Sequence, residues 1–478
     1  MKLNTKKTIF VGLAFLIICM FWQVYDNIIV KMLNNNFGFN QTWSGVIMSL
    51  DNVLALFLLP LFGVISDRTK TKRGRRTPFI FWGIIVSSIL FIGVGVIDHF
   101  QLQLINDANI PIVRAIGDTG QYMFRGVIYA SNEAATIARS ADVMAITQGN
   151  IGILITFIFV LLLVLLVMAT YRTPAVSLMP DVTPKPLRSK ANAIINLMGA
   201  AGGIVSLGLM AFLAKDYHSY ILLFAVLAVA MNLLLGLFMS KVNEPDLVAM
   251  MHEQSKKFGI EEEAKTEAEE QTEPDKMSPE VKKSFILIML SIVLWFMAYN
   301  AATTKFSIYS QVVLDMGFIL PLLIAQAAAI VVYIPIGIIA SKVGRKKTIM
   351  VGILILLVAF LLGLVATSKT TFLIYLTMSL AGMGWAAINV NSYPMIVEMS
   401  KGKNIGKYTG YYYTASMSAQ IITPILSGAM MDLIGMKSLF AYSAIFSVLA
   451  FVTMMFVKHG DSKPIPTKAI EAYESLDE

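Results

Sequence analysis

A short, strongly basic turn between two long apolar stretches constrains this chain more than any other feature. Residues 60–80 read PLFGVISDRTKTKRGRRTPFI, with six basic side chains against one acid, Asp67. Apolar sequence long enough to cross a membrane lies on both sides of it. Basic loops of this kind stay on the cytoplasmic side. The turn is therefore predicted to join two transmembrane helices at the inner face.

A degenerate copy of this turn, GIIASKVGRKK, occupies residues 337–347 and again ends an apolar stretch. One such turn in each half indicates an internal duplication of a helical bundle. The repeated pattern resembles the cytoplasmic loop signature of the major facilitator superfamily. The fold class predicted is an all-α integral membrane protein, with twelve transmembrane helices in two pseudo-symmetric six-helix halves.

Composition supports a membrane protein and argues against several other classes. The chain is 56% hydrophobic and only 14% charged, which is typical of a polytopic membrane protein. Its net charge of +8 comes from basic residues in loops beside apolar spans, so we expect a lipid bilayer around the chain and no nucleic-acid partner. The single cysteine, Cys19, excludes an intramolecular disulfide and a cysteine-based metal site.

Twelve spans of roughly 20 residues or more can be drawn. They are predicted at 9–33, 43–66, 78–98, 148–171, 190–214, 219–241, 284–308, 318–341, 347–367, 371–397, 406–432 and 437–457. The even count places the basic loops and both termini in the cytoplasm. No small-residue cleavage site follows the first span, so we interpret it as a retained helix.

The predicted organisation has four parts and one insertion. Residues 1–242 form the first six-helix half, 243–283 a cytoplasmic linker, 284–458 the second half and 459–478 a cytoplasmic tail. Residues 99–147 are expected to be a long outer loop with one or two short amphipathic helices. We expect a monomer in the cell (plasma or inner) membrane.

Two carboxylates within the apolar spans are the leading functional candidates. Asp26 lies in the first span and Asp51 in the second, both a few residues to the outer side of the span centre. Ionisable groups inside a membrane are costly and usually functional. Either carboxylate could bind and release a proton as solvent access alternates. The alternative is a structural carboxylate satisfied by a neighbouring amide, Asn27 or Asn52.

Aromatic and amide side chains recur four residues apart at similar depths, a spacing that places both on one helix face. A flat ring beside a hydrogen-bonding group suits a sugar, although each ring alone could equally serve packing or interface anchoring. The predicted sugar-binding set comprises Trp22, Gln23, Asp26, Asn27, Trp295, Tyr299, Asn300, Trp385, Asn389, Asn391 and Gln420.

Charged residues near the inner boundary suggest a gate that breaks and re-forms during transport. Arg172 and Asp181 follow the fourth span at the predicted level of Asp67, and the second half offers Glu398. Exposed ion pairs contribute little to stability, so solvated loop charges are the alternative. The predicted gating set comprises Asp67, Arg68, Arg75, Arg76, Arg172, Asp181 and Glu398.

At the family level, residues 66–80 and the run from Pro174 to Ala193 resemble sucrose–proton symporters and their bacterial relatives; the second half resembles them more weakly, through WAAINVNSYP at 385–394. The resemblance implies cation-coupled uptake of glycosides, typically disaccharides. The chain departs from the plant members' span-four acid and arginine, having Leu165 and Val176. It also has Leu59 where melibiose-type symporters carry a sodium-site acid, which favours the proton.

These observations lead to the expectation of a proton-coupled importer of a small glycoside, with no cofactor other than the coupling ion. Within transport, a sodium-coupled carrier or an exporter remains open, as does a sugar sensor without flux. A membrane enzyme would need a catalytic base or metal cluster. The four histidines, His99, His218, His252 and His459, are instead scattered in predicted loops and the tail, so we expect no catalytic residues and no metal.

Overall fold

In the computed structural model, the described residues are 3–117, 119–184, 187–257, 278–398 and 405–459. The chain divides into two compact units. The first is Met1–Thr266 together with Ser307–Ile319, and the second is Glu267–Phe306 together with Leu320–Glu478. The segment Ser307–Ile319, which begins within the seventh long apolar helix, thus packs with the first unit.

The first unit begins with a continuous rod in which α1 (Thr5–Val24) passes through a π-helical segment (Tyr25–Ile29) into α2 (Val30–Asn35). The remaining helices are α3 (Gln41–Arg68), α4 (Thr77–Asp107), α5 (Asn132–Gly149), α6 (Ile151–Asp181), α7 (Arg188–Leu213), α8 (Ile221–Lys241) and α9 (Glu244–Lys257).

Small residues bring α1 and α7 into close contact. A Cβ atom added to Gly202 would lie 2.3 Å from the backbone oxygen of Leu16. One turn further along α7, the Ser206 hydroxyl donates to the Met20 carbonyl at 2.8 Å. Backbones can approach this closely only where side chains are minimal. The small-residue face of α7 therefore serves packing within the first unit.

The second unit contains α10 (Pro279–Val312, up to Phe306), α11 (Ile319–Val343), α12 (Arg345–Val365), α13 (Thr371–Glu398), α14 (Ile405–Ile434) and α15 (Ser438–Met455). Glycines again allow close helix packing, since a Cβ atom on Gly352 of α12 would lie 2.9 Å from the Gly384 carbonyl oxygen of α13. In the second basic turn, Gly344 alone separates α11 from α12, and its φ is 99°.

The number of long apolar helices agrees with the predicted fold. Among the described residues, eleven helices are long and apolar enough to cross a membrane, and α11 adds a shorter apolar segment, Ile319–Tyr333. The largest differences in bounds are at two helix ends. α4 continues to Asp107 rather than ending near 98, and α6 continues through Pro174 and Pro180 to Asp181. Membrane helices tolerate interior proline because neighbouring groups satisfy the freed carbonyls.

Residues 99–147 contain one helix of the predicted one or two, α5, together with the end of α4 and a small sheet that the sequence did not indicate. After α4 comes a three-stranded antiparallel sheet, β1 (Arg114–Ala115), β2 (Tyr122–Phe124) and β3 (Val127–Tyr129), followed by α5. A small hydrophobic core built from Ile105, Ile110, Phe124, Ala135 and Val143 holds the sheet against α4 and α5. Strands of two or three residues are too short for an alternating pattern to reveal them.

Candidate functional site

The π-helical segment places the first candidate carboxylate. The widened turn at Tyr25–Ile29 interrupts regular hydrogen bonding within the first membrane helix and contains Asp26. Asp26 is half-buried, whereas Asn27 is buried. The Asn27 amide donates to the Gln23 carbonyl at 2.9 Å, which leaves its side-chain oxygen without a donor. Single π-helical turns are frequent at functional sites.

Asp26, Asp51 and Arg172 form a charged trio inside the first unit. Asp51, on α3, is half-buried and accepts a hydrogen bond from Asn52 at 2.7 Å. The charge of Arg172, on α6, acts on both carboxylates, and Asp51 acts on Asp26. Three helices thus contribute one charged group each. With both carboxylates ionised, the trio carries a net charge of −1.

Trp22 connects the trio to an aromatic surface. The Arg172 guanidinium lies over the Trp22 ring, 5.2 Å from its centroid, as in a cation–π contact. The indole packs edge-on against Phe21 and Tyr25, with centroids 5.4 and 5.2 Å away. Its Nε1–H is buried, and none of the described residues accepts a hydrogen bond from it. An unpaired indole donor beside charged groups is suited to a hydroxyl ligand.

The second unit has an aromatic and amide surface of its own. Tyr299 and Trp385 stack face to face, with centroids 4.0 Å apart and planes 5° from parallel. Both are half-buried, and Asn389, one turn after Trp385, is exposed. The Asn389 amide donates to the Tyr333 hydroxyl at 3.3 Å. Tyr299, Trp385 and Asn389 therefore offer a flat ring surface bordered by polar atoms.

Other members of the predicted sugar set lie in helix packing. Trp295 is completely buried, and Asn391 is 2% exposed with its amide bonded to the Ala387 carbonyl at 2.8 Å. The Asn300 amide nitrogen is buried without a partner, and half-buried Gln420 donates to the Ser416 carbonyl at 3.3 Å. Spacing by four identifies a shared helix face but does not say whether neighbouring helices cover it, as they cover Trp295 and Asn391 in this structure.

Around the basic turn, Arg76 is the centre of an ion-pair cluster. It is 4% exposed, and its guanidinium donates to the Ser66 hydroxyl, to Asp67 and, at 2.8 Å, to Asp181. Arg75 also binds Asp181 at 2.7 Å, whereas Arg68 is exposed. The cluster joins the end of α3, the start of α4 and the end of α6.

Glu244, the first residue of α9, completes this cluster, although sequence reasoning placed it in the linker. It is 2% exposed. Its carboxylate accepts hydrogen bonds from the backbone N–H groups of Arg75, Arg76 and Thr77 at 2.8–3.1 Å, and from the Thr77 hydroxyl at 2.8 Å. These are the unpaired donors at the start of α4, where a negative charge is favoured. The sequence around it gives only a weak signal, because Glu244 lies in a polar stretch after Lys241 and beside a second acid, Asp246.

Arg172 and Asp181, two residues of the predicted gating set, have different partners. Arg172 and Asp181 are nine residues apart on α6, about 13 Å along the axis, so they cannot pair. Among the described residues, the ion pairs of Asp181 are with Arg75 and Arg76, while Arg172 faces Trp22. The Glu398 side chain lies outside the described residues.

Lys31 is a buried charge that sequence reasoning overlooked. It is 2% exposed, forms an ion pair with Asp216 and lies 4.8 Å from the Phe318 ring centroid. Nearby, the Asn35 amide donates to the Gln311 side-chain oxygen at 3.2 Å. These contacts fasten Ser307–Ile319 to the first unit. A lysine near the end of a span is ordinarily assigned to the membrane interface, which explains the omission.

Comparison with known proteins decides the family. Residues 11–334 and 322–475 match the model of the Major Facilitator Superfamily. The chain belongs to the major facilitator superfamily. Membership confirms the predicted transporter class, as opposed to an enzyme, and the helical membrane fold.

Solved superfamily structures cover nearly the whole chain at low identity. The xylose transporter XylE from E. coli, in an inward open conformation, aligns with a TM-score of 0.61 and 14% identity over 99% of this chain and 98% of that one. The nucleoside transporter NupG gives 0.61 and 14% over 95% and 100%. A POT family transporter in complex with 5-aminolevulinic acid gives 0.63 and 11% over 95% of each. At these identities the likeness shows the fold alone.

One curated relative matches part of the chain. It is the putative glycoside/cation symporter YagG of Escherichia coli (strain K12), 29% identical over 102 residues. The match covers 21% of this chain and 22% of the relative, about a fifth of each.

Proposed function

We propose that this superfamily member imports a small glycoside, such as the disaccharides sucrose or maltose, together with a proton by alternating access. The observation that carries the proposal is the charged trio of Asp26, Asp51 and Arg172 beside the π-helical turn. Intramembrane ionisable residues mark ion and substrate pathways. Transport with a coupled ion fits such a group better than simple packing does.

The charges of the trio suggest a stoichiometry. Two ionised carboxylates and one guanidinium carry −1, so one added proton makes the group neutral. A neutral group is much less costly to enclose in a low-dielectric environment than a charged one. The protonated, sugar-loaded carrier would therefore close readily, whereas the carrier holding sugar without a proton would not. This difference is what symport requires, and it predicts one proton per sugar.

The aromatic surfaces support a sugar as substrate. Trp22 in the first unit, and Tyr299 with Trp385 in the second, offer rings against which the CH face of a pyranose can pack. Asn389 and the Trp22 Nε1–H offer hydrogen-bonding atoms for hydroxyl groups. The curated relative YagG is named a glycoside/cation symporter. One of the proteins that share the fold is a D-xylose-proton symporter. The first name agrees with a glycoside as substrate, and the second with a sugar that enters together with a proton.

The Arg76 cluster is proposed as the inner gate of this transporter. Its members are Ser66, Asp67, Arg75, Arg76, Asp181 and Glu244. The pair of Arg76 and Asp181 is largely buried, with 4% and 15% of the side chains exposed. A buried ion pair is costly to leave half-satisfied, so this pair favours discrete states, formed or released. The topology that accompanies the proposal has both termini in the cytoplasm.

A decisive experiment uses purified protein in liposomes and a panel of labelled disaccharides. An imposed inward proton gradient should drive accumulation, and an equal sodium gradient should not. Asp26→Asn or Asp51→Asn should retain sugar exchange but lose accumulation. Asp107→Asn, which removes an exposed carboxylate from α4, serves as the control and should accumulate sugar normally.

The outcomes separate the alternatives. Accumulation driven by sodium alone would replace the proton with sodium as the coupling ion. Accumulation only when the gradient favours efflux would indicate an exporter. Sugar binding without movement under any gradient would indicate a sensor, and normal accumulation by both variants would refute the role of the carboxylates.

A further inference from the structure

A second polar group lies in the first unit, away from the Asp26 trio. Asn36, which follows α2, donates through its side-chain amide to Asp98 of α4 at 2.8 Å. Gln101, one turn after Asp98, donates through its amide to the Asn36 carbonyl at 3.0 Å and to the Thr147 hydroxyl of α5 at 2.9 Å. Three elements of the first unit therefore meet at these side chains.

The oxygen atoms of this group are the unusual feature. Asn36 is 1% exposed, and Asp98 and Gln101 are 0% exposed. One side-chain oxygen of each, Asn36 Oδ1, Asp98 Oδ2 and Gln101 Oε1, is buried with no donor from the described residues. A buried acceptor without a partner destabilises a protein. Three of them in one connected group could be satisfied together by a hydrogen-bond donor or a cation.

The charge of Asp98 is also uncompensated. Among the described residues, no lysine, arginine or histidine forms an ion pair with it. The Tyr220 hydroxyl is buried, without a partner and within electrostatic range of Asp98.

We propose that Asn36, Asp98 and Gln101 bind a monovalent hard cation of the sodium class. Hard cations prefer carboxylate and amide oxygens, which are the groups left unpaired here. One carboxylate balances one positive charge, so the set matches a monovalent cation better than a divalent one. The site is separate from the Asp26 trio, because Asn36 follows Asp26 by ten residues, about 15 Å of helix.

Binding of this cation would stabilise one arrangement of the first unit. It would hold the end of α2 against α4 and, through Gln101 and Thr147, against α5. This role adds to the proposed proton coupling and does not depend on it. Sodium would then increase stability without driving sugar accumulation.

The test measures binding of ²²Na⁺ to purified, sugar-free protein in choline chloride at constant ionic strength. The wild type should bind one sodium ion per chain, in competition with unlabelled Na⁺ but much less with K⁺. Asp98→Asn should weaken binding at least tenfold, whereas Asp107→Asn, on the same helix but exposed, should not. The unfolding temperature should rise with Na⁺ in the wild type and in Asp107→Asn only.

Several results would overturn the proposal, and none depends on transport. They are the absence of saturable ²²Na⁺ binding by the wild type up to about 100 mM, and unchanged binding in a folded Asp98→Asn variant. A third is loss of binding in Asp26→Asn/Asp51→Asn, which would place sodium at the coupling trio. If Asp98→Asn does not fold, Gln101→Met, of similar length but without the oxygen, should show the same weakening, and unchanged binding there would count equally against the site.

Discussion

Replacement of Glu244 by alanine should destabilise the first unit more than its position beside a linker suggests. The carboxylate satisfies three backbone N–H groups and one hydroxyl at the start of α4. Loss of a helix cap costs about 1 kcal/mol, and each buried donor left without an acceptor adds about 1 kcal/mol or more. With Arg76 and Thr77 both buried, we expect a loss of about 3 kcal/mol.

The assay is thermal unfolding of purified protein in detergent, followed by size-exclusion chromatography. For a unit of this size, about 3 kcal/mol corresponds to a fall in unfolding temperature of roughly 6–12 °C. Glu244→Gln keeps the shape and one acceptor oxygen and should show a smaller fall. Asp246→Ala removes an exposed acid two residues away and should change stability by under about 0.5 kcal/mol. Equal shifts for Glu244→Ala and Asp246→Ala would refute the reasoning.

Three further predictions concern single side chains. Gly74→Ala should lower the unfolding temperature more than Gly120→Ala, because both have a positive φ but only Gly74 would place a Cβ atom 2.3 Å from Glu244; equal losses would contradict the contact. Arg76→Lys should cost about 2–4 kcal/mol in chemical unfolding, since one ammonium cannot reproduce the fork that binds three partners; a loss below about 1 kcal/mol would contradict that. Trp385→Ala should weaken sugar binding at least tenfold in a direct binding assay without loss of folded protein, and unchanged binding would remove Trp385 from the sugar site.

The fold could be predicted because membrane insertion imposes a length and a hydropathy on each helix. The repeated basic turns at residues 60–80 and 337–347 further indicated two related halves. The helix ends were harder to predict. The fourth span was predicted to end at 171, but α6 continues through Pro174 to Asp181. A proline inside a membrane helix is tolerated because neighbouring groups can satisfy the freed carbonyl. The sheet near Tyr122 has strands of only two or three residues, too short for an alternating pattern to reveal.

The candidate site was predictable only in part, for a related reason. A carboxylate in an apolar span is conspicuous, so Asp26 and Asp51 could be selected from the sequence. Arg172 was assigned to the gate because of its predicted position near the inner membrane boundary, yet its side chain faces Trp22. Glu244 was hidden by the polar composition of its surroundings. Residue type and spacing reveal candidates, whereas the partner of a charge is decided by which helices are neighbours.

Proton movement caused by sugar is the most direct test of the central claim. Liposomes containing the protein are suspended in weakly buffered medium without a membrane potential, and a transported disaccharide is added while external pH and sugar entry are recorded together. The account predicts alkalinisation of the medium, with about one proton lost from the medium for each sugar that enters. The variant that removes the proton-carrying carboxylate, Asp26→Asn or Asp51→Asn, should cause no pH change. Sugar entry at the wild-type rate without any pH change would contradict it.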